Sequence, residues 1–181
     1  AEEVFKRLPD DLQQFLLRTS ILSQMDASAC NAVASVKNAQ SILEELEKQN
    51  LFLASLDSQK RWYRYHYLFR EFLLSRLGRV EAESVVGVER SAGVYYESQG
   101  ELEASLSHYL KAREFESAAR VVSIFAADYV ERGRVEVLHR YLNALPSDVM
   151  NANPELILQH GNTHWRLGQT GAAIAAFEDA R

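Results

Sequence analysis

The histidine pair in His160-Gly-Asn-Thr-His164 has a spacing that is common in metal sites on helices. Residues four apart on a helix lie on the same face, so both imidazoles could reach one cation. The segment lacks the glutamate base of helical zinc hydrolases, and no third ligand is evident beside it. Two polar residues on a helix are therefore the simpler interpretation, and the sequence predicts no metal site.

The other reactive side chains do not form a catalytic pattern. The only cysteine, Cys30, has no basic neighbour in sequence that would lower the pKa of its thiol, which favours an apolar helix position. Glu44 and Glu45 are adjacent and diverge by about 100° around a helix, so they cannot act as an acid/base pair. The sequence has no Gly-x-x-x-x-Gly-Lys-Ser/Thr loop and no glycine-rich dinucleotide turn. We therefore expect that the chain is not an enzyme and holds no cofactor by its own residues.

The composition of the 181 residues is that of an ordinary folded protein. Hydrophobic residues make 47% and charged residues 25%, which excludes extensive disorder. A single cysteine excludes an internal disulfide and fits a reducing compartment. No apolar run approaches the length of a membrane span, and the first residues lack signal-peptide character. We expect a cytoplasmic protein without a membrane partner.

The charge is unevenly distributed along the chain. Residues 1–80 carry eleven Lys/Arg against ten Asp/Glu, whereas residues 81–181 carry nine against fifteen. Phosphate contacts are made chiefly by Lys and Arg, so the acidic second part does not favour an extended nucleic-acid surface. The change in charge also indicates a domain boundary near residue 80.

The first eighty residues predict a winged-helix domain. Leu8-Pro9-Asp10-Asp11 starts a helix, because proline suits the first turn and acids suit the positive end of the helix dipole. Apolar residues at helical and then strand-like spacing predict the remaining elements. These are helices over 28–36 and 39–49, strands over 51–56 and 61–66 around a turn at 57–59, and a helix from residue 68.

Winged helices often bind DNA, but this sequence disfavours that role. The helix that would enter the major groove, residues 41–48, carries Glu44, Glu45 and Glu47. These carboxylates would face the phosphates with like charge. The basic residues lie instead on the hairpin and the following helix, where they form either a solvated face or a docking surface for an anionic partner. They are Lys60, Arg61, Arg64, Arg70 and Arg76.

Residues 81–181 predict tetratricopeptide-like helical repeats that form an α-α superhelix. Gly100, Gly133 and Gly168 are spaced by 33 and 35 residues, close to the 34-residue period of such arrays. The fifth, ninth and twelfth positions after Gly100 and Gly168 hold small or aromatic residues that suit close helix packing. The packing residues predicted in this way include Tyr109, Ala112, Ala173, Phe177 and Ala180. The last repeat has no polar capping helix, which indicates a piece of a longer protein.

Several segments resemble the large ATP-binding LuxR-type transcriptional activators, the MalT-like family of bacteria. The resemblance covers essentially the whole chain, and its aromatic-basic-histidine motif is the most specific part. The segments are Leu8-Pro-Asp-Asp-Leu-Gln-Gln-Phe-Leu-Leu-Arg-Thr-Ser-Ile-Leu22, Asn50-Leu-Phe-Leu53, Arg61-Trp-Tyr-Arg-Tyr-His-Tyr-Leu-Phe-Arg-Glu-Phe-Leu73, Ala112-Arg-Glu-Phe-Glu-Ser-Ala-Ala119 and Leu142-Asn-Ala-Leu-Pro146.

This resemblance implies a signal-transducing ATPase of the STAND class, with a nucleotide-binding domain before the winged helix and a DNA-binding domain after the repeats. ADP or ATP would belong to the parent protein and not to this segment. In the wider class, a winged-helix histidine contacts the β-phosphate of ADP and holds the resting state. The matching residue is His66, and Tyr67 stands where eukaryotic relatives usually have aspartate.

The residues around His66 make an anion contact physically reasonable. His66 falls at a predicted strand-to-helix junction, where backbone N–H groups favour an anion. Arg64 and Arg70 flank it as supporting basic residues, and an imidazole changes charge near neutral pH. The leading hypothesis is therefore a regulatory segment that relays nucleotide state and inducer binding. Its partners would be its own ATPase domain, downstream sensor repeats, a small-molecule or protein inducer, and DNA through a separate C-terminal domain. The alternative is a freestanding repeat scaffold for protein partners.

Overall fold

The computed structural model of the protein describes residues 2–80 and 82–179. Within these residues the chain is mainly helical with one small antiparallel sheet, which confirms the fold class predicted from sequence. The chain divides into two compact units, Ala1–Tyr95 and Tyr96–Arg181, each described by itself below. The sequence placed the boundary between residues 80 and 81, and these domain limits, 1–80 and 81–181, stay a prediction.

The first unit has the winged-helix order of helices, hairpin and helix. Its first long helix begins after Pro9, and Asp10 and Asp11 occupy the first turn. The next helix starts where the Asp26 carboxylate accepts the Ala29 backbone N–H at 2.8 Å. The elements in the described part of this unit are α1 (Glu2–Lys6), α2 (Asp10–Thr19), α3 (Ala27–Ala34), α4 (Ala39–Lys48), β1 (Leu53–Ser55), β2 (Tyr63–Tyr65), α5 (Tyr67–Val80) and most of α6 (Ala82–Ser98).

The predicted hairpin is present, although its strands are shorter than the sequence suggested. Leu53 pairs with Tyr65 and Ser55 with Tyr63, so both tyrosines point into the core while Arg64 points outward. The Asp57 carboxylate closes the turn by accepting the backbone N–H groups of Arg61 and Trp62 at 2.8 and 3.1 Å. The side-chain alternation of the strands therefore sets which residues face the solvent.

Two short helices were not predicted. The first is α1, whose Phe5 is fully buried and packs edge-on against Phe72 at a ring distance of 5.6 Å. The second is a helix over Ser147–Asn151, which lies between two prolines, Pro146 and Pro154. Both are only five residues long, too short for helical periodicity to appear in the sequence.

The second unit is a succession of helices with short connections, in which neighbouring helices such as Pro154–Arg166 and Thr170–Asp179 pack together. Gly100, Gly133 and Gly168 adopt φ angles of 75°, 74° and 75°, a left-handed conformation that ends a helix with little strain only at glycine. The described elements after α6 are α7 (Leu102–Ala112), α8 (Phe115–Glu131), α9 (Val135–Asn143), α10 (Ser147–Asn151), α11 (Pro154–Arg166) and α12 (Thr170–Asp179). None of the described helices combines the length and apolarity needed to cross a lipid bilayer.

Four of the five predicted packing residues lie on α7 or α12. Tyr109, Ala112 and Ala173 are buried, and Phe177 is half-buried with its ring against Gly161 of α11. Ala180 lies outside the described residues. Whether these positions pack one repeat against the next in a longer array stays a prediction.

Candidate functional site

A cleft at the open end of the hairpin brings together the three residues that the sequence singled out. Arg64 comes from β2, His66 from the junction between β2 and α5, and Arg70 from the first turns of α5. The cleft has a volume of about 630 Å³. Its walls are completed by Ser23, Asn50, Phe52, Leu53, Ala54, Tyr65 and Tyr67.

The main chain of His66 is held on both sides while its imidazole is exposed. Its backbone N–H donates to the Phe52 carbonyl at 2.7 Å. Its own carbonyl accepts the N–H groups of Phe69 and Arg70, each at 3.0 Å, which starts α5. The strand-to-helix junction predicted from sequence therefore fixes where the imidazole can reach.

Arg70 has a structural role in addition to its charge. Its guanidinium donates to the carbonyls of Leu22 and Ile21, both at 3.2 Å. These carbonyls follow the end of α2, so Arg70 ties the start of α5 to the helical core. The guanidinium nevertheless lines the cleft and keeps a full positive charge there.

The electrostatic character of the cleft is basic. Arg64 is exposed on β2 opposite Ala54, and none of the cleft-lining residues in the described part of the chain is acidic. Ser23 and Asn50 add neutral polar groups that can also hydrogen-bond to an anion. The arrangement therefore suits a negatively charged group, such as a phosphate.

The cleft contains one backbone feature that the sequence did not indicate. Phe52 has a φ angle of 56°, a left-handed conformation that is unusual for a bulky side chain. Its ring stacks on Phe69 at 4.8 Å, and its carbonyl is the one that holds His66. Strained backbone that is held by surrounding contacts is often found at functional sites.

The remaining basic residues of the predicted face are engaged outside the cleft. Lys60 pairs with Glu47 at 2.7 Å, and its ammonium lowers the pKa of that carboxyl. Arg61 pairs with Asp57 at 3.1 Å, and the Arg76 guanidinium lies 5.0 Å from the centre of the Phe5 ring. The face predicted from sequence is therefore divided, and its cleft portion consists of Arg64, His66 and Arg70.

A second cluster, in the other unit, changes the interpretation of the His160/His164 pair. His139 on α9 joins these two residues of α11, and one ring nitrogen from each of the three lies within 4.8 Å of the others. The sequence showed no third ligand because His139 lies far from the pair along the chain. All three side chains are half-buried.

Burial and mutual repulsion disfavour protonation of this histidine cluster. The pKa of His160 falls to about 4, first because of burial and then because of the neighbouring His164 and His139. Burial and His164 also lower the pKa of His139. Both imidazoles are therefore neutral at pH 7.

These shifted values predict that the second unit loses stability in acid. An unfolded histidine titrates near pH 6.5, so between about pH 6.5 and pH 4 the unfolded chain binds protons that folded His160 does not. In a Trp62→Phe chain kept in EDTA, we expect the melting temperature reported by Trp165 fluorescence to fall across this window. The fall should be smaller in the same chain with His160→Gln. Equal pH dependence in the two proteins would contradict the role of His160 in this loss of stability. His66→Gln, in the first unit, is the control and should keep the original pH dependence.

The other reactive residues behave as the sequence suggested. Cys30 is buried, and burial raises the pKa of its thiol, which disfavours the reactive thiolate. Glu44 and Glu45 are exposed on α4 and accept hydrogen bonds from Gln40 of the same helix and from Gln49, the residue after its end, at 2.7 and 2.6 Å. The acidic surface of α4 thus remains unsuited to the DNA major groove.

Comparisons with known proteins agree with this fold. The family of the MalT winged helix domain matches residues 1–85. Curated proteins described as HTH-type transcriptional regulator MalT match over 157 residues, with 30% identity in Cronobacter sakazakii and 31% in Klebsiella pneumoniae. Each alignment covers 87% of this chain and 17% of the relative, so the chain spans about a sixth of those proteins. Residues 1–85 are therefore a MalT winged helix domain, and over 87% of its length the chain is similar to part of these MalT regulators.

Proposed function

We propose that this chain is the signal-coupling segment of an ATP-dependent bacterial transcriptional activator. In this proposal the winged helix senses the nucleotide bound to an adjoining ATPase domain, and the helical repeats transmit inducer binding. DNA would be bound by a further domain of the same parent protein. The segment itself relays these states and catalyses no reaction.

The observation that carries this proposal is the basic cleft around His66. Arg64, His66 and Arg70 come from three successive parts of the hairpin and α5, and the fold places them around one opening. The relatives' names, HTH-type transcriptional regulator MalT, support the assignment to transcriptional control.

The residues of the cleft fit a diphosphate. His66 would contact the β-phosphate of ADP, and Arg64 and Arg70 would add positive potential beside it. ADP would supply the negative charge that these side chains stabilise, and the hydrolysis of ATP that forms ADP would belong to the ATPase domain. Such a contact stabilises the resting arrangement only if it is lost in the active one, because a ligand shifts an equilibrium by its differential affinity.

The test is His66→Ala in the full-length regulator. Losing a hydrogen bond to a charged group costs about 1.5–3 kcal/mol, so we expect ADP to be retained about 10- to 100-fold less tightly. Transcription without inducer should rise. The measurements are equilibrium binding of labelled ADP and a reporter assay for basal transcription.

Arg61→Ala is the matched control, because Arg61 lies on the same hairpin and pairs with Asp57 outside the cleft. It should leave ADP retention and basal transcription unchanged. Unaltered ADP affinity and basal transcription in His66→Ala, with the parent protein folded, would refute the assignment of His66.

A freestanding protein-binding scaffold is the alternative, and exposed apolar side chains on α11 and α12 favour it. Leu158, Trp165 and Ile174 are 46%, 62% and 53% exposed. This alternative predicts that the gene encodes no phosphate-binding loop upstream of these residues and no DNA-binding domain downstream. The coding sequence around the chain distinguishes the two functions directly.

A further inference from the structure

We propose that His139, His160 and His164 form a binding site for a divalent transition metal ion, for which Zn²⁺ is the best candidate. One ring nitrogen from each lies within 4.8 Å of the other two. This site is in the second unit and is independent of the His66 cleft and of the function proposed for it.

Helices α9 and α11 bring the three imidazoles close together. His160 and His164 are one turn apart on α11, with ring centres 4.3 Å apart. The ring of His139 on α9 lies 5.3 Å from the His160 ring and 4.7 Å from the His164 ring. An i, i+4 pair completed by a third histidine from a packed helix is a compact nitrogen donor set.

Hydrogen bonds fix two of the rings in orientations that leave a nitrogen for a metal. The His164 Nδ1 lies 2.6 Å from the Gln169 Oε1, which only accepts, so Nδ1 carries the proton and Nε2 has the lone pair. The Thr163 hydroxyl donates to the His160 carbonyl and therefore accepts from His139 Nδ1 at 3.0 Å. The Nε2 of His139 consequently also has a lone pair.

Asn143 orients the third ring and forms hydrogen bonds with two of the three histidines. Its Oδ1 accepts from His160 Nε2 at 2.9 Å, so the lone pair of His160 lies on Nδ1. Its Nδ2 donates to His139 Nε2 at 2.9 Å. A bound cation would replace this last hydrogen bond, whereas the contacts from Thr163 and Gln169 would remain as outer supports of the ligands.

The donor set favours zinc and leaves one position open. Imidazole suits Zn²⁺, Cu²⁺ and Ni²⁺, whereas Ca²⁺ and Mg²⁺ prefer oxygen. Nitrogens around a tetrahedral zinc ion lie about 3.3 Å apart, so small rotations of these half-buried rings would complete the geometry. Water would take the fourth position. The ligands come from two helices, so a bound ion would link α9 to α11.

The test uses the 181-residue chain without a polyhistidine tag, stripped of metal with EDTA and then dialysed. Titration with ZnCl₂ in a calorimeter should show one saturable site per chain. His139→Gln, His160→Gln and His164→Gln should each weaken binding by about 100-fold or more, because even outer-shell losses cost about 10- to 100-fold. His66→Gln, which removes a histidine from the first unit, should bind as the original chain does.

Two further measurements do not depend on the folding of the variants. Zinc should raise the melting temperature of the second unit, followed by Trp165 fluorescence in a chain with Trp62→Phe. X-ray absorption of the zinc-loaded chain should show three imidazole ligands. Absence of saturable binding, fewer than three imidazoles, or zinc affinity that survives all three substitutions unchanged would each overturn the proposal.

Discussion

Replacing Tyr65 with alanine is expected to destabilise the first unit by about 3–5 kcal/mol. Tyr65 is only 2% exposed and is the last residue of β2, with its ring edge-on to Phe69 at 5.9 Å. Truncation would remove its apolar contacts and leave a cavity beside the cleft. The hairpin would lose its inward anchor, and Arg64 and His66 on either side of Tyr65 would lose their fixed positions.

Tyr65→Phe separates the hydroxyl from the ring. Thr19 donates to the Phe15 carbonyl at 2.7 Å, so the Tyr65 hydroxyl donates to the Thr19 oxygen, also at 2.7 Å. Removing this one hydrogen bond should cost about 0.5–1.5 kcal/mol, well below the alanine substitution.

Both substitutions are best measured in a Trp165→Phe chain, where Trp62 alone reports on the first unit. Urea titration would then give the free energy of unfolding of that unit. Trp165 is 62% exposed, so its replacement should change stability little. If Tyr65→Ala cost no more than Tyr65→Phe, the ring would not be the anchor of the wing.

Replacing Gly161 with alanine should destabilise the packing of α12 on α11 by about 1–3 kcal/mol. A Cβ atom at Gly161 would lie 2.6 Å from the Phe177 ring, a distance that real contacts do not tolerate. Alanine is the better helix former by about 0.5–1 kcal/mol, so the substitution is unfavourable only because of this contact. The Phe177 ring must turn out of its position to accommodate the methyl group.

A double-mutant cycle tests this explanation directly. In a Phe177→Ala background the contact is gone, and Gly161→Ala should then stabilise the second unit. Gly171→Ala is the control, because a Cβ there meets no atom within 4 Å. Unfolding of the second unit is followed by Trp165 fluorescence in a Trp62→Phe chain. If Gly161→Ala still lowered the free energy of unfolding in the absence of the Phe177 ring, the steric clash would not be with Phe177.

The elements that could be predicted from sequence were those with local causes. Pro9 and the acids after it mark the start of a helix. Gly100, Gly133 and Gly168 mark helix ends, and their φ angles of 75°, 74° and 75° suit glycine. The hairpin could be predicted from the bulky residues on either side of its turn. The position of His66 at a strand-to-helix junction was predictable for the same reason, since two adjacent periodicities meet there.

The features that could not be predicted depend on packing between distant segments. His139 joins His160 and His164 only because α9 packs on α11. Arg70 was expected to add positive charge beside His66, and the sequence did not indicate that two of its N–H groups also reach carbonyls just after α2. The left-handed backbone of Phe52 is held by its stack on Phe69 and has no signature in its residue type.

The clamped main chain of His66 has a consequence for the entropy of ligand binding. Its N–H and carbonyl are already committed to Phe52 and to the first turn of α5, so its backbone loses little freedom when an anion is bound. Binding would then order only the two side-chain torsions, which costs about 0.5–1.5 kcal/mol. A residue with a free backbone would lose about 1–2 kcal/mol more. An exposed histidine prepared in this way can release its ligand by moving away as part of a rigid body, with no need to unfold its loop.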